Sequence, residues 1–263
     1  GMDAASLAQM DRLIREPHGI VLVTGPTGSG KTTTLYAALS RLDPKAQNIM
    51  TVEDPIEYDL DGISQTPINT RIEMSFARAL RTILRQDPDV IMIGEIRDLE
   101  TAQIAVQASL TGHLVFATLH TNDATSAITR LVDMGVEPFL LASSLIGVAA
   151  QRLVRCLCLE CRKPAKIAAA QLEALGFSPK QGTFYSAQAC AACNHTGYRG
   201  RTGIYEMLTF DDGLRRLIHD RASEQALRDH AAARSMRSLR DDGLRWAAQG
   251  VISLEEVVRV TRE

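Results

Sequence analysis

Residues 25–32 read Gly-Pro-Thr-Gly-Ser-Gly-Lys-Thr and satisfy every position of the pattern G-x-x-x-x-G-K-[ST]. Gly25, Gly28 and Gly30 permit backbone conformations that a side chain forbids, so successive amides can converge on phosphate oxygens. Pro26, Thr27 and Ser29 complete the loop, and Lys31, Thr32 and Thr33 open the segment after it. A lysine at this position reaches β- and γ-phosphates, and the Thr32 hydroxyl suits Mg²⁺. The chemistry implied is binding of a nucleoside triphosphate. The loop alone does not separate a kinase, a GTPase, an ATPase or a transporter subunit. No convincing guanine-reading N-K-x-D motif is present, which favours ATP over GTP.

Further reactive groups follow short apolar runs. Asn48–Val52 leads to Glu53, Asp54 and Glu57; Val90–Ile93 and Gly94 lead to Glu95; the run from Leu114 leads to His120. In open α/β sheets, ligands bind beyond the carboxyl ends of the strands. Glu53 is expected to orient or deprotonate the attacking water, and Glu95 to help hold Mg²⁺ with Thr32 and the phosphates, although the two glutamates could exchange roles. Asp54 and Glu57 serve equally well as turn or helix caps after Pro55. His120 is placed to donate a hydrogen bond to a γ-phosphate. His113 begins the same run, about 23 Å away if the run is extended, and suits a structural role. Arg71, Arg78, Arg81 and Arg85 read either as a solvated basic face or as a source of charge for a transition state at a subunit boundary.

All five cysteines lie beyond residue 155. Cys158-x-x-Cys161 and Cys190-x-x-Cys193 are separated by 28 residues. Two such knuckles can supply four thiolates to one Zn²⁺, stabilising a segment too small to build its own core. A redox pair is the alternative. Cys156 is spare and could compete with Cys158 as a ligand.

These groups need a scaffold that aligns strand ends. The runs Ile20–Val23, Asn48–Val52, Val90–Ile93 and Leu114–Ala117 alternate with helix-like stretches at Thr32–Arg41, Ser75–Arg85 and Leu99–Ser109. That alternation predicts an α/β fold with a parallel sheet buried on both faces. Asp3–Arg15 reads as a short amphipathic helix ended by Pro17, Phe139–Ala150 as a buried helix, and the chain from about Asp211 as helical. The expected division is an ATPase core at 1–155, a zinc-binding part at 156–203 and a helical part at 204–263. Composition is ordinary for a globular protein, with 45% hydrophobic and 23% charged residues among 263, which excludes disordered, collagenous and coiled-coil classes. Twenty-nine basic residues against 31 acidic ones give a net charge of -2, so no nucleic-acid partner is expected. No apolar run is long enough for a transmembrane segment, and no secretory signal is evident. Gly1 before Met2 looks like a tag-cleavage scar, and the sequence is expected to be a fragment of something longer.

The order of motifs resembles the secretion ATPase superfamily that drives type II secretion and type IV pilus assembly. Thr51–Tyr58 resembles its aspartate box, Arg85–Asp89 through Gly94–Asp98 its Walker B region, and Thr111–Leu114 through Thr118–Asp123 its histidine box. Gln151–Val154, the knuckles and Thr196–Glu206 extend the match over nearly the whole chain. Ala108–His113 and the cysteines look most like the type II secretion members. The resemblance implies a RecA-like P-loop core, a homo-hexamer, and ATP, Mg²⁺ and Zn²⁺ as cofactors. It implies a cytoplasmic location, peripheral to the bacterial inner membrane, with the secretion platform reached through N-terminal domains outside these residues. Extension of a type IV pilus or DNA uptake is the alternative within the superfamily. A zinc-stabilised nucleotide-binding interaction module is the alternative outside enzymes, and a DNA-binding zinc protein is the least favoured.

Overall fold

The computed structural model describes residues 1–173, 176 and 182–261. Two compact units make up the chain. The first comprises Asp3–Gln151 and Met207–Met236; the second comprises Gly1–Met2, Arg152–Glu206 and Arg237–Glu263.

In chain order the elements are α1 (Ala4–Leu13), β1 (Gly19–Thr24), α2 (Lys31–Leu39), β2 (Ile49–Glu53), β3 (Ser64–Pro67), α3 (Phe76–Ile83), β4 (Val90–Ile93), α4 (Leu99–Leu110), β5 (Leu114–Leu119), α5 (Ala124–Asp133) and α6 (Pro138–Ser144). There follow β6 (Leu145–Leu157), β7 (Lys163–Pro164), α7 (Ala169–Glu173), β8 (Tyr185–Ser186), β9 (Tyr198–Thr209), α8 (Asp212–His219), α9 (Glu224–Ala233), α10 (Leu239–Ala248) and α11 (Leu254–Thr261). Helices α8 and α9 fall in the first unit, α10 and α11 in the second.

Seven of the strands form one sheet in the order β3-β2-β4-β5-β1-β6-β9, and β7 pairs antiparallel with β8 in a second, two-stranded sheet. Strands β1, β4 and β5 are buried along their whole length, as strands covered on both faces must be. The pairs β2–β3, β2–β4, β4–β5, β5–β1 and β1–β6 are all parallel. Register then settles where the carboxyl ends fall. Val52 stands beside Ile93, Ile93 beside Ala117, and Thr24 beside Leu119. The residues that leave β1, β2, β4 and β5 therefore emerge at one edge. Helices α3, α4 and α5 start on side-chain caps: Ser75 accepts from the Arg78 amide, Asp98 from Thr101 and Asp123 from Ser126. These caps fix where each connection ends and hence how the strand-end residues are held.

The stretch 139–150 departs from the single buried helix expected of it. Helix α6 stops at Ser144, and Leu145 begins β6 beside β1, with Val21 level with Gly147 and Thr24 with Ala150. An apolar run of this length satisfies either structure, and the open flank of β1 decides for the strand. A side chain at Gly147 would meet Leu13 of α1 at 2.5 Å, so the close approach of that helix depends on glycine. Among the described residues, no helix is long and apolar enough to cross a membrane.

Candidate nucleotide site and cysteine cluster

The loop between β1 and α2 has the shape its glycines suggested. Gly28 and Gly30 take φ of 77° and 88°, in the left-handed region. Gly30 caps α2 without any side-chain hydrogen bond, leaving the start of a nine-residue helix uncapped by a side chain. A Cβ at Gly28 would meet nothing within 4 Å, and the Ser29 hydroxyl, in a residue only 2% exposed, has no hydrogen-bond partner among the described residues. An orphaned hydroxyl, an uncapped helix start and an open approach over glycine fit a phosphate group. Lys31 Nζ lies over the loop, donating to the carbonyls of Gly25 at 2.9 Å and Pro26 at 3.2 Å. Thr32 follows in the first turn of α2.

Glu95 sits just past β4. The Gly94 carbonyl accepts from Thr118 Oγ1 at 2.5 Å, and the Ile96 amide donates to the Thr118 carbonyl at 2.9 Å, so β5 holds both neighbours of Glu95. Its side chain is 13% exposed, pairs with Arg97 and lies 3.6 Å from His120 Nε2. Burial first and the charge of Lys31 second hold His120 below the ordinary histidine value; Glu95 opposes the shift and Arg97 adds to it. Lys31, Glu95, Arg97 and His120 thus share one electrostatic neighbourhood. The hydrogen bond to Glu95 holds the Arg97 guanidinium above its ordinary value, with Asp54 a smaller contributor.

Glu53 has a different setting. It is 2% exposed, and its carboxylate accepts from the Tyr36 hydroxyl, from Thr51 Oγ1 at 2.5 Å and from Gln65 Nε2 at 3.0 Å. Burial, with the bond to Glu53 second, pushes the Tyr36 hydroxyl up to about 12, so it stays a donor at neutral pH. Asp54 and Glu57 are exposed. His113 is satisfied locally, with Nδ1 at 2.8 Å from the Ala108 carbonyl and 3.2 Å from Thr111 Oγ1, at the opposite end of β5 from His120. Arg71, Arg78, Arg81 and Arg85 are all exposed; Arg81 pairs with Glu100 at 2.6 Å and Arg78 lies 3.9 Å from Glu73. Arg97, Tyr36 and Gln65 escaped the reading of the sequence as site residues. Arg97 stands two residues past Glu95. Tyr36 is five past Lys31 on the same helix. Nothing in the sequence marks Gln65.

In the second unit the four knuckle cysteines converge, with every sulfur within 4.8 Å of the others. Cys158–Cys190, Cys161–Cys193 and Cys190–Cys193 are 3.8, 3.9 and 3.6 Å apart. Four sulfurs at ~2.3 Å from a central Zn²⁺ in a tetrahedron lie about 3.8 Å from one another. A disulfide needs ~2.05 Å, so these are not bridged. The turn after Cys193 places Asn194 and His195 at φ of 49° and 60°, which brings the Gly197 amide back to donate to Cys193 Sγ at 3.2 Å. The four-sulfur group can hold a metal ion, and Cys156 lies outside it, half-buried, its thiol pushed up by burial.

A glycine-rich phosphate cradle between a buried parallel strand and a helix, with acid and histidine at neighbouring strand ends, defines a nucleotide-binding α/β core of the RecA-like P-loop class. The family model described as Type II/IV secretion system protein matches residues 1–259, and the chain belongs to that family. It is 65% identical over its whole length to the type II secretion system protein HxcR of Pseudomonas aeruginosa, covering 53% of that protein. It is 61% identical to the type II secretion system ATPase E of Vibrio cholerae, covering 52% of it. The chain thus spans about half the length of the curated relatives it matches. Among solved structures, the pilus retraction motor PilT with bound ADP superposes with a TM-score of 0.74 at 31% identity, over 100% of this chain and 66% of that one.

Proposed function

We propose that this chain is the ATP-hydrolysing core of a type II secretion motor. The observation that supports it best is the meeting of Lys31, Glu95 and His120 beside the phosphate loop, at the one edge where the strands end. In this reading the loop amides and Lys31 bind and orient the triphosphate. We assign activation of water to Glu95 rather than to Glu53. Glu53 is buried and its carboxylate already accepts from three donors, whereas Glu95 reaches the strand edge beside Lys31. The ion pair with Arg97 holds the Glu95 carboxylate in place to take the proton of the attacking water. Glu53 then serves to tie α2, through Tyr36, to β2 and β3. His120, kept neutral by burial and then by Lys31, donates to the γ-phosphate. Mg²⁺, held by Thr32 with Glu95 nearby, would supply charge neutralisation as the γ-phosphate leaves. Zn²⁺ is the metal that suits the four cysteines.

The similarity to the type II secretion proteins supports a homo-hexamer on the cytoplasmic side of the inner membrane. The secretion platform would then be reached through the part of the protein beyond this chain. The test is ATP turnover with Mg²⁺ across a range of protein concentrations. Specific activity should rise with concentration, as expected when neighbouring subunits complete each other's sites. Glu95→Gln should lower kcat by at least 10²-fold, the scale of a lost general base, while nucleotide still binds. Lys31→Ala should lose binding as well. Full turnover in Glu95→Gln would overturn the assignment.

A further inference from the structure

The glycines that let the phosphate loop fold also leave it many other conformations, and something must select the right one. The loop's own contacts are local: Ser29 donates its amide to the Pro26 carbonyl at 3.2 Å, and Lys31 bonds the Gly25 and Pro26 carbonyls. A further contact comes from far along the chain. Gln151, 1% exposed, donates from Nε2 to the Ser29 carbonyl at 2.6 Å across 122 positions. It is set there by register, because Thr24 stands level with Ala150, so Gln151 follows level with the first loop residue. The same residue presses on the loop's other end. A Cβ at Gly25 would lie 2.5 Å from the Gln151 carbonyl oxygen, so only glycine lets the loop leave β1 against this strand. Backbone and side chain of one residue thus hold the loop at its first position and its fifth.

The consequence follows from peptide geometry. The Ser29 C=O and the Gly30 N–H belong to one planar trans unit and point in opposite directions. A carbonyl drawn to Gln151 therefore turns the Gly30 N–H away from it. The geometry points to Gln151 as a positioning residue of the nucleotide site, its carboxamide orienting the Ser29–Gly30 peptide so that the Gly30 amide faces the nucleotide's phosphates. This rests on the phosphate-loop reading above.

The test compares the native chain with Gln151→Met, which keeps the length and burial of the side chain but has no donor. Binding of a fluorescent ATP analogue and steady-state turnover are both followed. An amide that contacts phosphate equally in ground and transition states contributes uniform binding, so KM should rise with kcat nearly unchanged. Loss of one buried hydrogen bond predicts roughly tenfold weaker binding. Damage that was merely structural would lower the active fraction, hence kcat and the melting temperature, and leave KM alone. Gln151→Glu supplies a second readout that does not depend on the first. Ionised, it cannot donate to Ser29 and binding should be weak at pH 8; protonated, it can, and affinity relative to the native chain should recover toward pH 5.5. Unchanged affinity in Gln151→Met together with a flat pH response in Gln151→Glu would overturn the role of Gln151. A native chain that binds no nucleotide would overturn the phosphate-loop reading itself, so the two failures are distinguishable.

Discussion

A histidine beside a lysine and an arginine is a poor place for a third positive charge. His120 is held below the ordinary histidine value, chiefly by burial and then by Lys31, with Glu95 pulling the other way. The sign of the consequence is definite. A histidine lowered from ~6.5 is neutral throughout the physiological range and gains its proton only in more acid solution. If the neutral ring is the form that works beside the γ-phosphate, kcat should be level from pH 8 down to about 6.5 and fall only below it. A pH–rate profile with saturating ATP measures this, and a maximum on the acid side of 6.5 would show that the protonated ring is the working form. His120→Gln retains an amide donor without a titrating group and should remove that acid limb. The two glutamates show what residue type alone conveys. Both follow apolar runs and look alike in sequence. Burial and three donors around Glu53, against an arginine and a histidine around Glu95, separate them only when the fold is assembled.

Elements of the second unit are joined by an ion pair whose strength depends on pH. The side chain of Glu256, in α11, is fully buried and receives the Arg155 amide at 2.9 Å, the Arg155 guanidinium at 2.9 Å and Arg259 at 2.6 Å. Burial alone would raise its pKa; the hydrogen bonds from Arg259 and Arg155 outweigh that and bring it to about 2. A carboxylate depressed from 4.5 to about 2 contributes stability that is present above pH 4.5 and is lost as pH falls toward 2. Both arginines are about half exposed, so we expect ~1–3 kcal/mol rather than the full value of the shift. Thermal melts should show Glu256→Gln less stable than the native chain at pH 7 and the gap closing between pH 4.5 and 2. A gap independent of pH would mean that packing, not charge, is responsible. Nothing in the sequence paired residues 155 and 256, since contacts across a hundred positions leave no local pattern. The elements themselves were more legible. β1, β2, β4 and β5 are short β-branched runs with helix caps such as Asp98 and Asp123 between them, and both signals are local. The stretch 139–150 was misread because an apolar run states that it is buried but not in which backbone form. Gln65 was silent for the same reason as Glu256, and Gln151, although part of a matching motif, gave no sign of its contact: their partners lie 12 and 122 positions away.

At the scale of the whole molecule, the unequal resources of the two units decide where a metal matters. The first unit has a broad parallel sheet covered by helices, which buries apolar side chains in quantity. Among the described residues, the segment between β6 and β9 in the second unit has strand pairing only of Lys163 with Ser186 and Pro164 with Tyr185, the short helix α7, and a few buried side chains such as Leu172 and Phe184. So little apolar burial does not offset the entropy of ordering such a segment, and a metal held by the four cysteines would supply the difference. One Zn²⁺ per chain should copurify, as measured by mass spectrometry of the metal. Cys193→Ser should lose it, and Cys156→Ser, outside the sulfur cluster, should keep it. The segment also touches the end of α10: the Thr183 amide donates to the Ala248 carbonyl at 3.2 Å, and Arg162 donates to the Gly250 carbonyl. Trp246, the chain's one tryptophan, lies on that helix. Removing the metal with a strong chelator should therefore shift tryptophan fluorescence and lower the melting temperature. Nucleotide affinity should be spared, because Gly25, Lys31 and Glu95 belong to the other unit. Loss of nucleotide binding in step with the metal would show instead that the cysteines serve the catalytic unit directly, and the structural role assigned to them would fall.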